Sequence, residues 1–223
     1  MTLRFLAQSD YRTMPWKNGL GTTTELAVSP AGASIDSFVW RISAAQVGAA
    51  GPFSSFLGVA RTLLQTSGTP MTITCTAKDE DASLPRTIWN HTMQWLQPIT
   101  FHGEEQVGCT RLDGVATDFN VMTRRAQCQS TTSVLELISG GYFSRVVPGA
   151  TTCFVHALSG EIAVQVVSCS VGLVPTTHPS VCVRSHESAV LEPSAGTTKD
   201  SIVLEVHCAQ HARFILVELT PSS

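Results

Sequence analysis

Apolar and polar residues alternate along this chain in short, strand-length bursts. In residues 161–167 (EIAVQVV), Ile162, Val164 and Val166 fall on one face, while Glu161, Ala163, Gln165 and Val167 fall on the other. That two-residue period is the signature of a half-buried strand. Comparable runs occur from 3–6 and 22–28 near the N-terminus to 201–207 and 214–219 near the C-terminus, broken by Gly, Pro, Ser or Asp. Val, Ile, Thr and Phe dominate them, as suits a pleated surface. The pattern predicts an all-β chain, a sandwich or barrel. Helical periodicity is poor, and only 43–47 and 84–91 read as helix-like. Residues 151–157 and 161–167, joined through Gly160, read as a hairpin. The polar stretch AQCQSTT at 126–132 suggests a boundary, giving halves 1–126 and 127–223 that each carry a small β-barrel. The acidic segment 77–85 and PTTHP at 175–179 read as loops.

Composition narrows the function. With 223 residues, 43% hydrophobic and 14% charged, the chain can bury a substantial core. A net charge of −3 and scattered Lys and Arg leave no electrostatic footprint for nucleic acid. No apolar run approaches the roughly 20 residues that span a bilayer, and the first residues lack the apolar centre of a secretory signal. A cytoplasmic protein is expected. The seven cysteines, at 75, 109, 128, 153, 169, 182 and 208, are odd in number and form no C-x-x-C pair. They are therefore expected as buried thiols rather than disulfides or a zinc knuckle.

Candidate chemistry gathers in a few segments. MPWKNGLGTTTEL at 14–26 places Trp16, Lys17, Asn18 and two glycines ahead of a threonine-rich strand, 22–28, that carries Glu25. By itself it reads either as a corner presenting polar groups to a pocket or as an ordinary turn. FVWRIS at 38–43 carries Arg41, GPFSSFLGVARTL at 51–63 leads into Arg61, and DFNVMTRR at 118–125 sets Asn120, Met122 and Arg124 on one face.

Taken together in this order, PWKNGLGTT, FVWRIS, GPFSSFLGVARTL and DFNVMTRR resemble the HutD/Ves family of bicupin proteins. The resemblance implies two cupin barrels in one chain, a role linked to histidine utilisation or stress response in bacteria, and no settled catalytic activity. It also implies a pocket in the N-terminal cupin that holds a small carboxylate. Leu20, Thr24, Ile99 and Glu104 depart from the family pattern, which bears on the identity of the ligand.

Within that pocket Arg61 is the foremost candidate, since a guanidinium grips a carboxylate through two parallel hydrogen bonds; the competing reading is a structural ion pair. Lys17 would add charge or lie along the ring of Trp16, and Trp16 itself would wall the pocket or fill the core. Asn18 and Asn120 would orient a planar ligand, or else cap a turn and a strand edge. Arg41 and Arg124 are weaker candidates of the same kind as Arg61.

Many cupins hold metals through histidines, but none of the seven histidines here forms an H-x-H pair. The best fragment is His102 with Glu104 or Glu105, so no metal or other cofactor is expected. Three functions follow: a metal-free protein that binds or senses a small anionic metabolite, an enzyme using Glu25 or His102 as general acid or base, and a protein-interaction scaffold. Self-association is left open.

Overall fold

The computed structural model describes residues 1–16, 19–77, 86–168, 176–177, 179–193 and 201–222. Among these, strands are the rule and the one helical piece is a 3-10 turn at Gln8–Asp10. Among the described residues no helix is long and apolar enough to cross a membrane. Two compact units divide the chain: Arg12–Cys128, and Met1–Tyr11 together with Gln129–Ser223.

The second unit holds β1 (Thr2–Leu6), β12 (Cys128–Leu137), β13 (Tyr142–Val147), β14 (Thr152–Ser159), β15 (Glu161–Ser168), β16 (Thr176–Thr177), β17 (Val181–Arg184), β18 (Ser188–Glu192), β19 (Ile202–His207) and β20 (Ala212–Pro221). One sheet runs β1-β18-β14-β20-β12 and the other β13-β19-β15-β16, with β17 also on β15. Residues 1–11, which the sequence placed in the N-terminal half, group with this unit because β1 pairs with β18 from Thr2↔Glu192 to Leu6↔Ser188. The alternation read in 161–167 is realised: Ile162, Val164 and Val166 are essentially inaccessible and join the core. The expected hairpin is not. β14 pairs with β18 and β20, whereas β15 pairs with β16, β17 and β19, so the chain crosses between sheets at Gly160. A short loop with a positive-φ glycine serves such a corner as well as a hairpin, and the local sequence does not separate the two.

The first unit holds β2 (Arg12–Pro15), β3 (Gly21–Ser29), β4 (Trp40–Val47), β5 (Gly51–Pro52), β6 (Val59–Gly68), β7 (Met71–Ala77), β8 (Arg86–Thr92), β9 (Ile99–His102), β10 (Gln106–Leu112) and β11 (Ala116–Arg124). A six-stranded sheet, β2-β3-β4-β11-β6-β9, packs on a four-stranded one, β5-β10-β7-β8. Their core joins Leu63 and Ala116 from the first to Ile73, Cys75, Val107 and Cys109 from the second. Both helix-like readings are corrected. Residues 43–47 continue β4, and 86–91 belong to β8, where Thr87, Ile88 and Trp89 favour an edge strand on β7. No disulfide joins the six cysteines that are described; five are buried as expected, Cys182 is exposed, and Cys169 lies outside the described residues.

Gly68 closes the turn between β6 and β7 at φ +86°, and a Cβ there would stand 2.1 Å from the Val115 carbonyl oxygen. Gly68→Ala is expected to lower stability by roughly 1–3 kcal/mol, read as a lower urea midpoint at unchanged slope. An unchanged midpoint would mean that the turn relaxes freely.

Candidate functional site

The six-stranded sheet turns a polar stripe inward. β11 lies between β4 and β6, and the register sets Met122 opposite both Arg41 and Arg61, Asn120 opposite Ser43 and Leu63, and Asp118 opposite Ala45 and Gln65. Because strand residues two apart share a face, Asp118, Asn120 and Met122 all reach one cavity of about 510 Å³, together with Arg41 and Arg61. Trp16, Phe53 and Phe56 add apolar walls.

The strands that flank residues 17–20 pair as a hairpin, and Trp16 at its end walls the cavity. β2 and β3 pair from Arg12↔Glu25 to Pro15↔Thr22, closed by the Trp16 N–H donating to the Gly21 carbonyl at 2.9 Å. The Trp16 indole N–H donates to Thr23 Oγ1 at 2.8 Å, which fixes the ring at the cavity. Gly21 permits this approach, since a Cβ there would stand 2.3 Å from the Gln46 carbonyl oxygen and 3.0 Å from the indole. Lys17 and Asn18 lie outside the described residues.

Arg61 is the focus of the cavity. It is 7% exposed, and its guanidinium carbon stands 5.5, 5.7 and 5.1 Å from the ring centres of Phe53, Phe56 and Phe101. Such a cage attracts a cation through the ring faces, but it offers no anion. The one hydrogen bond to Arg61 is long, 3.4 Å from Nη1 to the Ser54 carbonyl, and Nε is buried without a partner among the described residues. Burial lowers its pKa to about 10, with Asp118 raising it and Arg41 lowering it further. Arg41, equally buried, is instead committed: its Nε donates to Glu25 Oε2 at 2.6 Å.

Asp118 is a group that sequence reasoning missed. It is 3% exposed, its Oδ1 has no hydrogen-bond partner among the described residues, and burial pushes its carboxyl up to about 7 against the opposing pull of Arg61. Asn120 likewise presents a buried Oδ1 without a partner among the described residues. The signal was present in DFNVMTRR, where Asp118 shares parity with Asn120 and Met122.

Three other candidates sit elsewhere. Arg124 shares the parity of Asn120, but it lies at the end of β11. Its Nε donates to the Phe38 carbonyl at 2.9 Å, its Nη2 donates to that of Asp36, and its guanidinium carbon stands 5.2 Å from the Phe38 ring centre. His102 is exposed, because its neighbour Phe101 takes the inward face of β9. Glu25 is the ion-pair partner of Arg41 and does not line the cavity. The acidic neighbours of His102 also have structural partners: Glu105 accepts from the His102 backbone N–H at 2.6 Å, and Glu104 pairs with Arg125, which donates to the Val59 carbonyl at 2.8 Å. Among the described residues no cluster of three or more His, Cys, Asp or Glu side chains is arranged to hold a metal ion.

The HutD family model matches residues 8–201. An uncharacterised 21.2 kDa protein in the hutC 3′ region of Pseudomonas putida is 31% identical over 163 residues, covering 73% of this chain and 77% of that protein. Protein Ves of Citrobacter koseri is 33% identical over 131 residues, covering 57% of this chain and 62% of its own length. The solved structure of HutD from Pseudomonas fluorescens SBW25, in a formate condition, covers 100% of both chains with a TM-score of 0.72 and 25% identity. More distant solved structures are cupin-type proteins and share the fold alone.

Proposed function

This chain belongs to the HutD family, and we propose that its N-terminal cupin unit is a metal-free, cytoplasmic binding site for a small carboxylate, serving a sensing or regulatory role in histidine breakdown. One observation carries the reading: Arg61 is a buried guanidinium, ringed by phenylalanines, whose Nε meets no acceptor among the described residues. Burying an unpaired cation is costly, and an anion that enters the cavity removes that cost by supplying charge and paired acceptors together. The hutC-region name of the Pseudomonas putida relative supports the link to histidine utilisation, and the formate condition of the Pseudomonas fluorescens HutD structure supports a small carboxylate. General acid–base catalysis by Glu25 or His102 has less support, since Glu25 is held by Arg41 and His102 faces out of the cavity.

Isothermal titration of the full chain with formate, urocanate, N-formylglutamate and N-formiminoglutamate tests the reading. Saturable heat with at least one of them is the expected result. No heat with any of them, with ligand raised to about 1 mM over an adequate protein concentration, would sink it.

A further inference from the structure

The cavity holds two opposite charges that do not meet. Arg61 and Asp118 act on each other electrostatically, yet no ion pair joins them, and each keeps a buried polar atom without a partner among the described residues. Asn120, between Asp118 and Met122 on the inward face of β11, adds another unpartnered acceptor atom. Along the backbone of β11, Asp118 lies four positions from Met122, the residue opposite Arg61, a rise of roughly 13 Å between their Cα positions. A small carboxylate lying between them satisfies Arg61 but leaves Asp118 facing a second negative group. Leaving a buried acceptor unsatisfied, or setting it against a like charge, is costly. A ligand that carries an N–H beyond its carboxylate meets both ends. An asparagine can turn its amide to offer either a donor or an acceptor, whereas an ionised aspartate only accepts. Asp118 therefore decides what the far end takes.

We propose that Asp118 determines the specificity of this pocket, reserving the end remote from Arg61 for an N–H donor, so that the site takes a small carboxylate bearing an N–H group in preference to one without it. The proposal rests on the carboxylate reading of the pocket and assigns the other half of the ligand. Urocanate and 3-(2-furyl)acrylate make the comparison: both are flat acrylates of similar size, and the furan ring has no N–H.

Titration at pH 8, where Asp118 is mostly ionised, should show urocanate bound about 30-fold more tightly than furylacrylate. In Asp118→Leu, a change of similar volume, furylacrylate should gain affinity and the ratio should fall to within about 3-fold. Asp118→Asn, which keeps the shape and removes the charge, should shift the ratio in the same direction and covers the case in which the leucine variant does not fold. Equal affinity for the two acids in the wild-type chain, or an undiminished preference in both variants, would overturn the proposal. Formate binding with both larger acids excluded would also overturn it while sparing the carboxylate reading. No binding of any of these acids, nor of N-formylglutamate or N-formiminoglutamate, would remove both.

Discussion

Arg61→Met should abolish carboxylate binding and leave the fold intact, with at least a 100-fold loss of affinity for whichever acid the wild-type chain binds. The loss follows from the chemistry of the cavity. Arg41 cannot substitute, because Glu25 already neutralises it at 2.6 Å, and no other guanidinium lines the pocket. The fold should tolerate the change because methionine keeps the packing against the rings and removes the cost of burying a charge that no anion neutralises. Three phenylalanine rings surround it, its single hydrogen bond is long, and burial holds its pKa near 10 instead of 12.5. A shift of that size corresponds to roughly 3 kcal/mol by which the folded state opposes the charge. Methionine is similar in length and packs well against aromatic edges. Asp118 sets the pH dependence of the comparison, since removing Arg61 removes the charge that favours its ionised form. The variant should match or exceed wild-type stability near pH 5.5, where Asp118 is protonated, and lose ground as the pH rises towards 8. Denaturant melts at both pH values, beside titrations at one, are sufficient. Retained binding within a few-fold would show that Arg61 is a structural cation and not the ligand's partner.

Much of this architecture is legible in the sequence wherever a period of two decides the outcome. Ile162, Val164 and Val166 could be placed in a core from alternation alone, because a one-residue slip would turn the whole apolar set outward. Pairing partners are less accessible. The turn at Gly160 serves equally for a hairpin or for the sheet-to-sheet corner that the chain makes, and the choice depends on where β17, β18, β19 and β20 lie, far away in sequence. β8 was obscured for a different reason: as an edge strand with few buried positions, it shows no apolar period to read. At the site, Arg61 could be singled out as a cation at a strand start that follows a glycine- and phenylalanine-rich loop. Asp118 could not, although its parity was visible, because a strand carboxylate is normally solvated and nothing local says that this one is 3% exposed. Burial of a charge is set by the strands on either side, here β4 and β6. Arg124 shows the converse. Parity groups it with Asn120, but its place at the end of β11 lets it reach the carbonyls of Asp36 and Phe38.

The second unit should lose stability steeply in acid, and His156 should account for most of the loss. His156 lies on β14 at 6% exposure, stacked near Phe154, and its Nδ1 shares a 2.9 Å hydrogen bond with Ser188 Oγ, which in turn meets the Tyr11 hydroxyl at 2.8 Å. Burial is the main reason its pKa is depressed to about 3, with His186 adding to the shift. The imidazole is therefore neutral in the folded unit throughout the range in which an unfolded chain takes up a proton. Between the ordinary histidine value of 6.5 and about 3 the unfolded state binds more protons, so stability falls as the pH falls. At pH 4 the contribution lost is roughly 3 kcal/mol. His156→Asn keeps a polar atom near the position of Nδ1 and removes the titration. Its stability deficit at pH 7, from the smaller side chain, should shrink by about that amount at pH 4; a deficit independent of pH would show that His156 titrates normally. Asp118 pulls the first unit the other way. Its carboxyl is raised from 3.8 to about 7, so the folded state binds more protons in that interval and stability falls as the pH rises through it. The two effects are separable because Trp16, Trp40, Trp89 and Trp95 all lie within Arg12–Cys128. Tryptophan fluorescence follows the unit of Asp118, whereas hydrogen exchange along β14 follows that of His156, and their pH profiles should slope in opposite directions between about 4 and 6.5.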